Sequence, residues 1–235
     1  MNLEIPMMAI GKWKTPVSII PAQSSGDMHI VKRTISKGAE LPLRPNTNAI
    51  FTRESELTIL REGNKNGTDT ESVWMSDTPM EYYMAWDLVS RVVGPRVLVV
   101  GLGLGLLVHL LALRRDITHI IVVEKSSDVG KMVTPYLPNS HKPFIPQFTD
   151  LRIRTIIDDI FNIYNFIDDI PQVETAIGDI WKDRSEESEE TQRDLQLLFE
   201  DNFMEAIHLH WAFQEKIEYE EAVSWFFKLL KEDYK

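Results

Sequence analysis

The chain has 235 residues, 43% of them hydrophobic, and carries a net charge of −11. It contains no cysteine, which excludes disulfides, thiolate metal sites and a cysteine nucleophile. No apolar run reaches the ~18 residues of a membrane helix, and MNLEIPMMAI lacks the basic start and clean apolar stretch of a signal peptide. A cytoplasmic protein, one α/β domain plus a small appendage, is the expectation.

The charge is uneven. Residues 1–149 hold 14 acids and 16 Lys or Arg, whereas residues 150–235 hold 22 acids and 9 bases. An acidic surface repels polyanions, so nucleic acid is disfavoured as a partner and a small, cationic molecule is favoured.

In chain order, residues 1–26 carry Pro6, Gly11, Pro16 and Pro21 without sustained periodicity and read as an irregular arm. His29 to Ile35 and Glu56 to Leu60 alternate, Ala49 to Thr52 is short and apolar, GNKNGTD at 63–69 is a turn cluster, and Ser72 to Met75 reads as a return strand. Residues 1–76 are therefore an arm plus a small antiparallel β-module, which should pack on the main domain at 77–235. Thr78, Pro79 and Glu81 form the start of a helix, with Tyr82, Ala85, Trp86, Val89 and Val93 on one face and Gly94-Pro95 beyond its end.

The central stretch is RVLVVGLGLGLLVHLLALRRDITHIIVVEK at 96–125. Arg96 to Val100 is an apolar run ending in Gly101, Gly103 and Gly105. Leu106, Leu107, Leu110, Leu111 and Leu113 recur at helical spacing, and Ile120 to Val123 is a second apolar run that stops at Glu124. This is a βαβ unit. Strands apolar throughout are buried on both faces in a parallel sheet. Ligands of such sheets bind at the carboxyl ends of the strands, where glycines admit a close approach and a carboxylate can accept ribose hydroxyls. The spacing is GxGxG, with Leu106 where the third glycine of the dinucleotide fingerprint would fall.

Beyond Glu124, Ser126 or Ser127 caps a helix to about Tyr136, and Pro138, Pro143 and Pro146 mark a loop. Leu151 to Ile157 is a third strand followed by Asp158-Asp159; Ile160 to Ile167 is a short helix or turn; Glu174 to Ile180 is a fourth strand ending at Asp179. SEESEE at 185–190 starts a solvated helix, and the apolar spacing from Asp194 to Lys231 reads as two helices. HLHWAF at 208–213 is the only candidate for a further strand, so the sheet reads as truncated at its C-terminal strands. On such a strand His208 and His210 would share a face, with no third metal ligand suggested.

VLVVGLGLG at 97–105, IIVVEKSSDV at 120–129, RIRTIIDDI at 152–160 and TAIGDIW at 175–181 together resemble class I S-adenosylmethionine (SAM)-dependent methyltransferases, closest in style to the spermidine-synthase-like branch. MSDTPMEYY at 75–83, after a β-module, is similar to the same branch and to small viral and microbial proteins with MSDTP, GLGLG and DIW elements. The resemblance covers residues 70–183 well and 27–70 loosely. It implies a Rossmann-like methyltransferase sheet with an N-terminal β-module and a helical C-terminus, and SAM as cofactor. Gly101, Gly103 and Gly105 would face its methionine part, Glu124 with Lys125 beside it the ribose, and Asp159 and Ile160 the adenine. Asp179 would be the catalytic base, with Trp181 and Asp183 on the substrate. Two positions depart from the polyamine synthases. Leu104 stands where those enzymes carry an amine-gripping Asp, and Asp179 and Asp183 lie one residue further apart than their DxxD pair.

Four readings follow. The first is a SAM-dependent transferase methylating a small molecule or a protein. The second is an aminopropyltransferase using decarboxylated SAM, and the third a non-catalytic SAM- or nucleoside-binding module acting through a partner. NAD binding is the fourth. Whether the chain forms a homo-oligomer is left open.

Overall fold

The computed structural model describes residues 7–44, 47–63, 72–138, 152–180 and 186–210. Its N-terminal module holds seven strands: β1 (Met7–Ile10), β2 (Gln23–Ser25), β3 (Met28–Ile35), β4 (Glu40–Arg44), β5 (Thr47–Phe51), β6 (Ser55–Glu62) and β7 (Ser72–Ser76). Strands β2-β3-β6-β7 make an antiparallel sheet and β1-β5-β4 a second, smaller one. Leu41, Phe51, Leu57 and Ile59 are the buried residues of the module's own core, with Trp13 and Val31 packed against them.

Within 27–76 the pairings β3–β6, β6–β7 and β4–β5 are antiparallel, and β1, from the segment before them, adds to β5 in parallel. One expectation for this region is corrected. The supposed irregular arm contains β1, β2 and a 3-10 turn at Pro16–Ile19. Val17 and Ile20 are fully buried, in the same cluster as the main domain's helices. Such short pieces are ordered by what they pack on, so they leave no period to read.

A buried carboxylate ties this segment down. Asp77 accepts from Thr15 Oγ1 and from Thr58 N, both at 2.6 Å, and its carbonyl accepts from Trp13 Nε1 at 2.8 Å. Burial raises its pKa against the pull of those hydrogen bonds. The next residue, Thr78, caps α1 (Pro79–Ser90) by accepting from Glu81 N. Ala85, Leu88 and Val89 form the buried face, whereas Trp86 is 58% exposed and Val93 49%. The helix ends before Val93, and its buried stripe lies to one side of the expected one.

The main domain follows as β8 (Arg96–Val100), α2 (Leu106–Leu111), β9 (His119–Glu124), α3 (Ser127–Val133), β10 (Arg152–Ile157), β11 (Thr175–Gly178), α4 (Glu186–Asn202) and β12 (Ile207–His210). The five strands are parallel, in the order β10-β9-β8-β11-β12. This is a mixed α/β architecture compatible with a Rossmann-like fold. Its chain order reverses between β8 and β11, and ligands of such sheets sit in that crevice.

Side-chain alternation explains the two covered faces. Val97 and Val99 of β8 pack with α1, α2 and α3, whereas Leu98 and Val100 pack with Ile160, Ile163 and the Leu195 and Phe199 side of α4. All six residues of α2 are buried, and Leu113, expected on its apolar face, is 53% exposed. Glu174 takes Arg96 N at 2.7 Å and Arg96 Nε at 3.0 Å, which aligns β8 with β11.

The one candidate for a further strand is a strand: residues 207–210 form β12, a fifth parallel strand of the sheet, not part of a helix. The signal was hidden because His208 and His210 do the packing of apolar residues, their rings lying against Phe199. His208 Nε2 meets the Phe203 carbonyl at 3.0 Å, and His210 Nε2 meets Gln196 Oε1. The expected helix from 211 onward lies outside the described residues. Among the described residues, no helix is long and apolar enough to cross a membrane.

Candidate functional site

The site forms where β8 runs out. Gly101 and Gly103 have φ of +97° and +50°, a backbone that only glycine adopts freely. A Cβ at Gly101 would strike the Asp179 carbonyl oxygen, and one at Gly103 would lie 2.5 Å from Met75 Sδ. These positions are therefore dictated by neighbouring protein as well as by the turn.

The main-chain N–H groups of this corner are turned to acceptors of the protein itself. Gly101 N donates to Val123 O at 2.8 Å and Leu102 N to Glu124 Oε2 at 2.8 Å, and the Gly103 amide also acts on the Glu124 carboxylate. Leu104 N donates to Met75 Sδ at 3.2 Å, and Gly105 N to Leu102 O at 2.7 Å. Such a loop differs from a phosphate cradle, whose amides point outward to an anion.

Glu124 is 8% exposed and takes a further hydrogen bond from Ser126 N at 2.7 Å. Burial raises its pKa, and the Ser126, Leu102 and Gly103 amides pull it back. Asp179, one residue past β11, stands near it. Burial first and the Glu124 charge second push Asp179 up to about 7. The Asp179 side chain has no hydrogen-bond partner among the described residues, whereas Glu124 accepts from Leu102 N and Ser126 N. The pair therefore holds its negative charge on Glu124 and its proton on Asp179.

A cavity of about 640 Å³ opens between these strand ends and the β-module, within the usual size of a small-molecule site. Gly101, Gly103, Glu124, Lys125, Asp159, Ile160 and Asp179 all line it, so seven of the residues singled out by sequence are brought together. Gly105 is not among them. It sits at the N-cap of α2, where a Cβ would meet Leu137, and its part is structural. Trp181 and Asp183 lie outside the described residues.

At the far end, Lys125 Nζ is 2.8 Å from Asp159 Oδ2 while Asp159 Oδ1 accepts from Phe161 N at 3.1 Å. Burial pushes the Asp159 carboxyl up, but Lys125 and the Phe161 amide together hold it below its usual value. Asp158 turns elsewhere, accepting from its neighbour's amide and from Asn162 Nδ2.

Sequence reasoning missed the module's share of the wall. Met28, Glu62, Trp74 and Met75 of the module line the cavity together with Glu81 of α1, and Asp128 of α3 joins them. Asp128 also accepts from Ser25 Oγ at 2.6 Å, which docks the β2–β3 turn on α3. The one available signal was Met75 in MSDTP, immediately before the well-marked helix start. Among the described residues the lining has eight carboxylates against a single lysine, Lys125. Its electrostatics favour a cation.

No protein-family model and no curated protein matches this sequence.

Proposed function

We propose that the cavity binds a phosphate-free nucleoside carrying a positive charge, and that the chain is a SAM-dependent transferase of the class I methyltransferase kind. One observation carries this reading: the amides of the Gly101–Gly105 corner are turned to acceptors of the protein itself, and the carboxylate of Glu124 sits against those of Leu102 and Gly103. A pyrophosphate there would face a negative charge and an already satisfied backbone, which argues against NAD. The donor set of the site fits the proposed ligand instead. Glu124 has lone pairs left for ribose hydroxyls, Asp159 and Ile160 would take the adenine, and the acidic walls would attract the sulfonium.

The bound donor supplies a carbon that is already activated, so the protein's task is alignment and proton removal. Asp179 is placed for the second part: a carboxyl near pKa 7 is a well-matched base at neutral pH. The cysteine-free composition agrees with a cytoplasmic setting.

A second reading has its own support. The carboxylate of SAM would look for a basic partner, and the lysine on the cavity wall is engaged by Asp159. Decarboxylated SAM has no such need, which favours aminopropyl transfer. The third reading, a module without chemistry, drew on a truncated sheet, and β12 supplies one of the strands it took to be missing.

Calorimetry with SAM, decarboxylated SAM, methylthioadenosine and NAD tests the proposal. Tighter binding of either sulfonium compound than of NAD is expected. Tighter binding of NAD would reject the reading, and a preference for decarboxylated SAM would favour aminopropyl over methyl transfer.

A further inference from the structure

We propose that Asp179 tells a charged sulfonium ligand from its neutral thioether counterpart, its carboxyl releasing a proton when the positive charge enters the cavity and recovering one when that charge is lost. The inference rests on the sulfonium reading above. It is independent of which group is transferred.

Two carboxyls line the cavity from strand ends on either side of β8. Glu124 ends β9, and its carboxylate accepts from the amides of Leu102 and Ser126. Asp179 follows β11 and has no donor of its own among the described residues. In an empty cavity a second negative charge beside Glu124 is unfavourable, so Asp179 keeps its proton, and burial with the Glu124 charge places that ionisation at about 7. A cation beside the pair reverses the balance and favours the carboxylate. Of the other charges on the wall, Asp159, paired with Lys125, and Asp128, held by Ser25, are both shifted below the usual carboxylate range. Asp158 after β10, Asp27 and Glu62 on the module and Glu81 on α1 are the remaining carboxyl groups there among the described residues.

The same site then accounts for a full turn of the reaction. The acceptor's X–H bond breaks as its X–C bond forms. The C–S bond breaks with its electron pair returning to sulfur, which becomes a neutral thioether. The released proton is taken by Asp179, whose counter-charge has just vanished. Substrate binding and product release are thereby set against each other through one carboxyl.

The test is calorimetry of the full chain with SAM and with S-adenosylhomocysteine at pH 6 and pH 8, in two buffers of different ionisation enthalpy. Asp179 goes from mostly protonated to mostly ionised over that range, so the preference for SAM over S-adenosylhomocysteine should rise about tenfold. At pH 6, SAM should release close to one proton and S-adenosylhomocysteine far less. In Asp179→Asn, which keeps the side-chain shape, the preference should be flat with pH. A wild-type preference that does not change between pH 6 and pH 8, or one that changes equally in Asp179→Asn, would overturn the inference while leaving the sulfonium reading standing. Binding of neither of these, nor of decarboxylated SAM or methylthioadenosine, would instead bring down the sulfonium reading itself. The proton-release arm uses the wild-type chain, so it holds whether or not the variant folds.

Discussion

Replacing Glu124 by Gln separates what this residue does for the fold from what it does for a ligand. The carboxylate accepts from Leu102 N at 2.8 Å, Ser126 N at 2.7 Å and Gly103 N. Glutamine offers one acceptor oxygen and must turn its amide N–H₂ towards at least one of those donors. A buried donor left without an acceptor costs about 1–3 kcal/mol. Part of this is recovered, because the native carboxylate is itself disfavoured by burial. A net loss of about 1–2 kcal/mol is expected, and for a chain of this size that lowers Tm by about 2–8 °C. Thermal unfolding followed by circular dichroism at pH 7 measures it. The same variant removes the charge that disfavours ionisation of Asp179, so the Asp179 carboxyl should titrate lower, which carboxyl NMR can follow. An unchanged Tm together with an unmoved Asp179 would show that Glu124 neither closes the glycine corner nor faces Asp179, and the site description would fail.

Three further outcomes are expected. The folded pKa of Asp179, about 7, lies above that of an unfolded aspartate. Its stabilising contribution is thus full below the unfolded value and lost as pH rises through 7, so Asp179→Asn should exceed wild type in stability at pH 8 by on the order of 2–4 kcal/mol, the gap narrowing towards pH 4 in urea titrations. His109 is buried and pushed down to about 4 chiefly by that burial, with no partner for Nε2 among the described residues. Its contribution is present above the unfolded histidine pKa and lost as pH falls towards 4, and His109→Phe should flatten this acid limb of the stability profile. Gly103→Ala forces a side chain into positive φ against Met75 Sδ and should cost on the order of 1–3 kcal/mol. Adding Met75→Ala should recover the contact part in chemical denaturation but leave the backbone strain.

The parts of this fold that were legible in the sequence are those with a period or a stop signal. VLVV and IIVV read as doubly covered strands because both faces of the sheet are packed, and the structure sorts Val97 and Val99 from Leu98 and Val100 into two separate cores. Thr78-Pro79 and Ser126 read as helix starts because capping is a local interaction, and both hydroxyls accept the expected amide. Illegible were the pieces whose order comes from elsewhere in the chain. Val17 and Ile20 are buried by helices some 70 residues later. β12 packs through histidines. The corner itself was only half read: Gly101 and Gly103 were seen as room for a ligand, whereas Asp179 and Met75 take the space their side chains would need. The module's acidic wall could not be read at all, since Glu62 and Glu81 meet the cavity only after β6, β7 and α1 are assembled.

The internally completed hydrogen bonding of residues 101–105 has a consequence for how any guest is received. The bend is already in its working shape when the chain finishes folding, and nothing in it waits for an arriving molecule to become ordered. Association at this floor should therefore resemble docking on a rigid surface, with little loss of main-chain freedom and a small heat-capacity change.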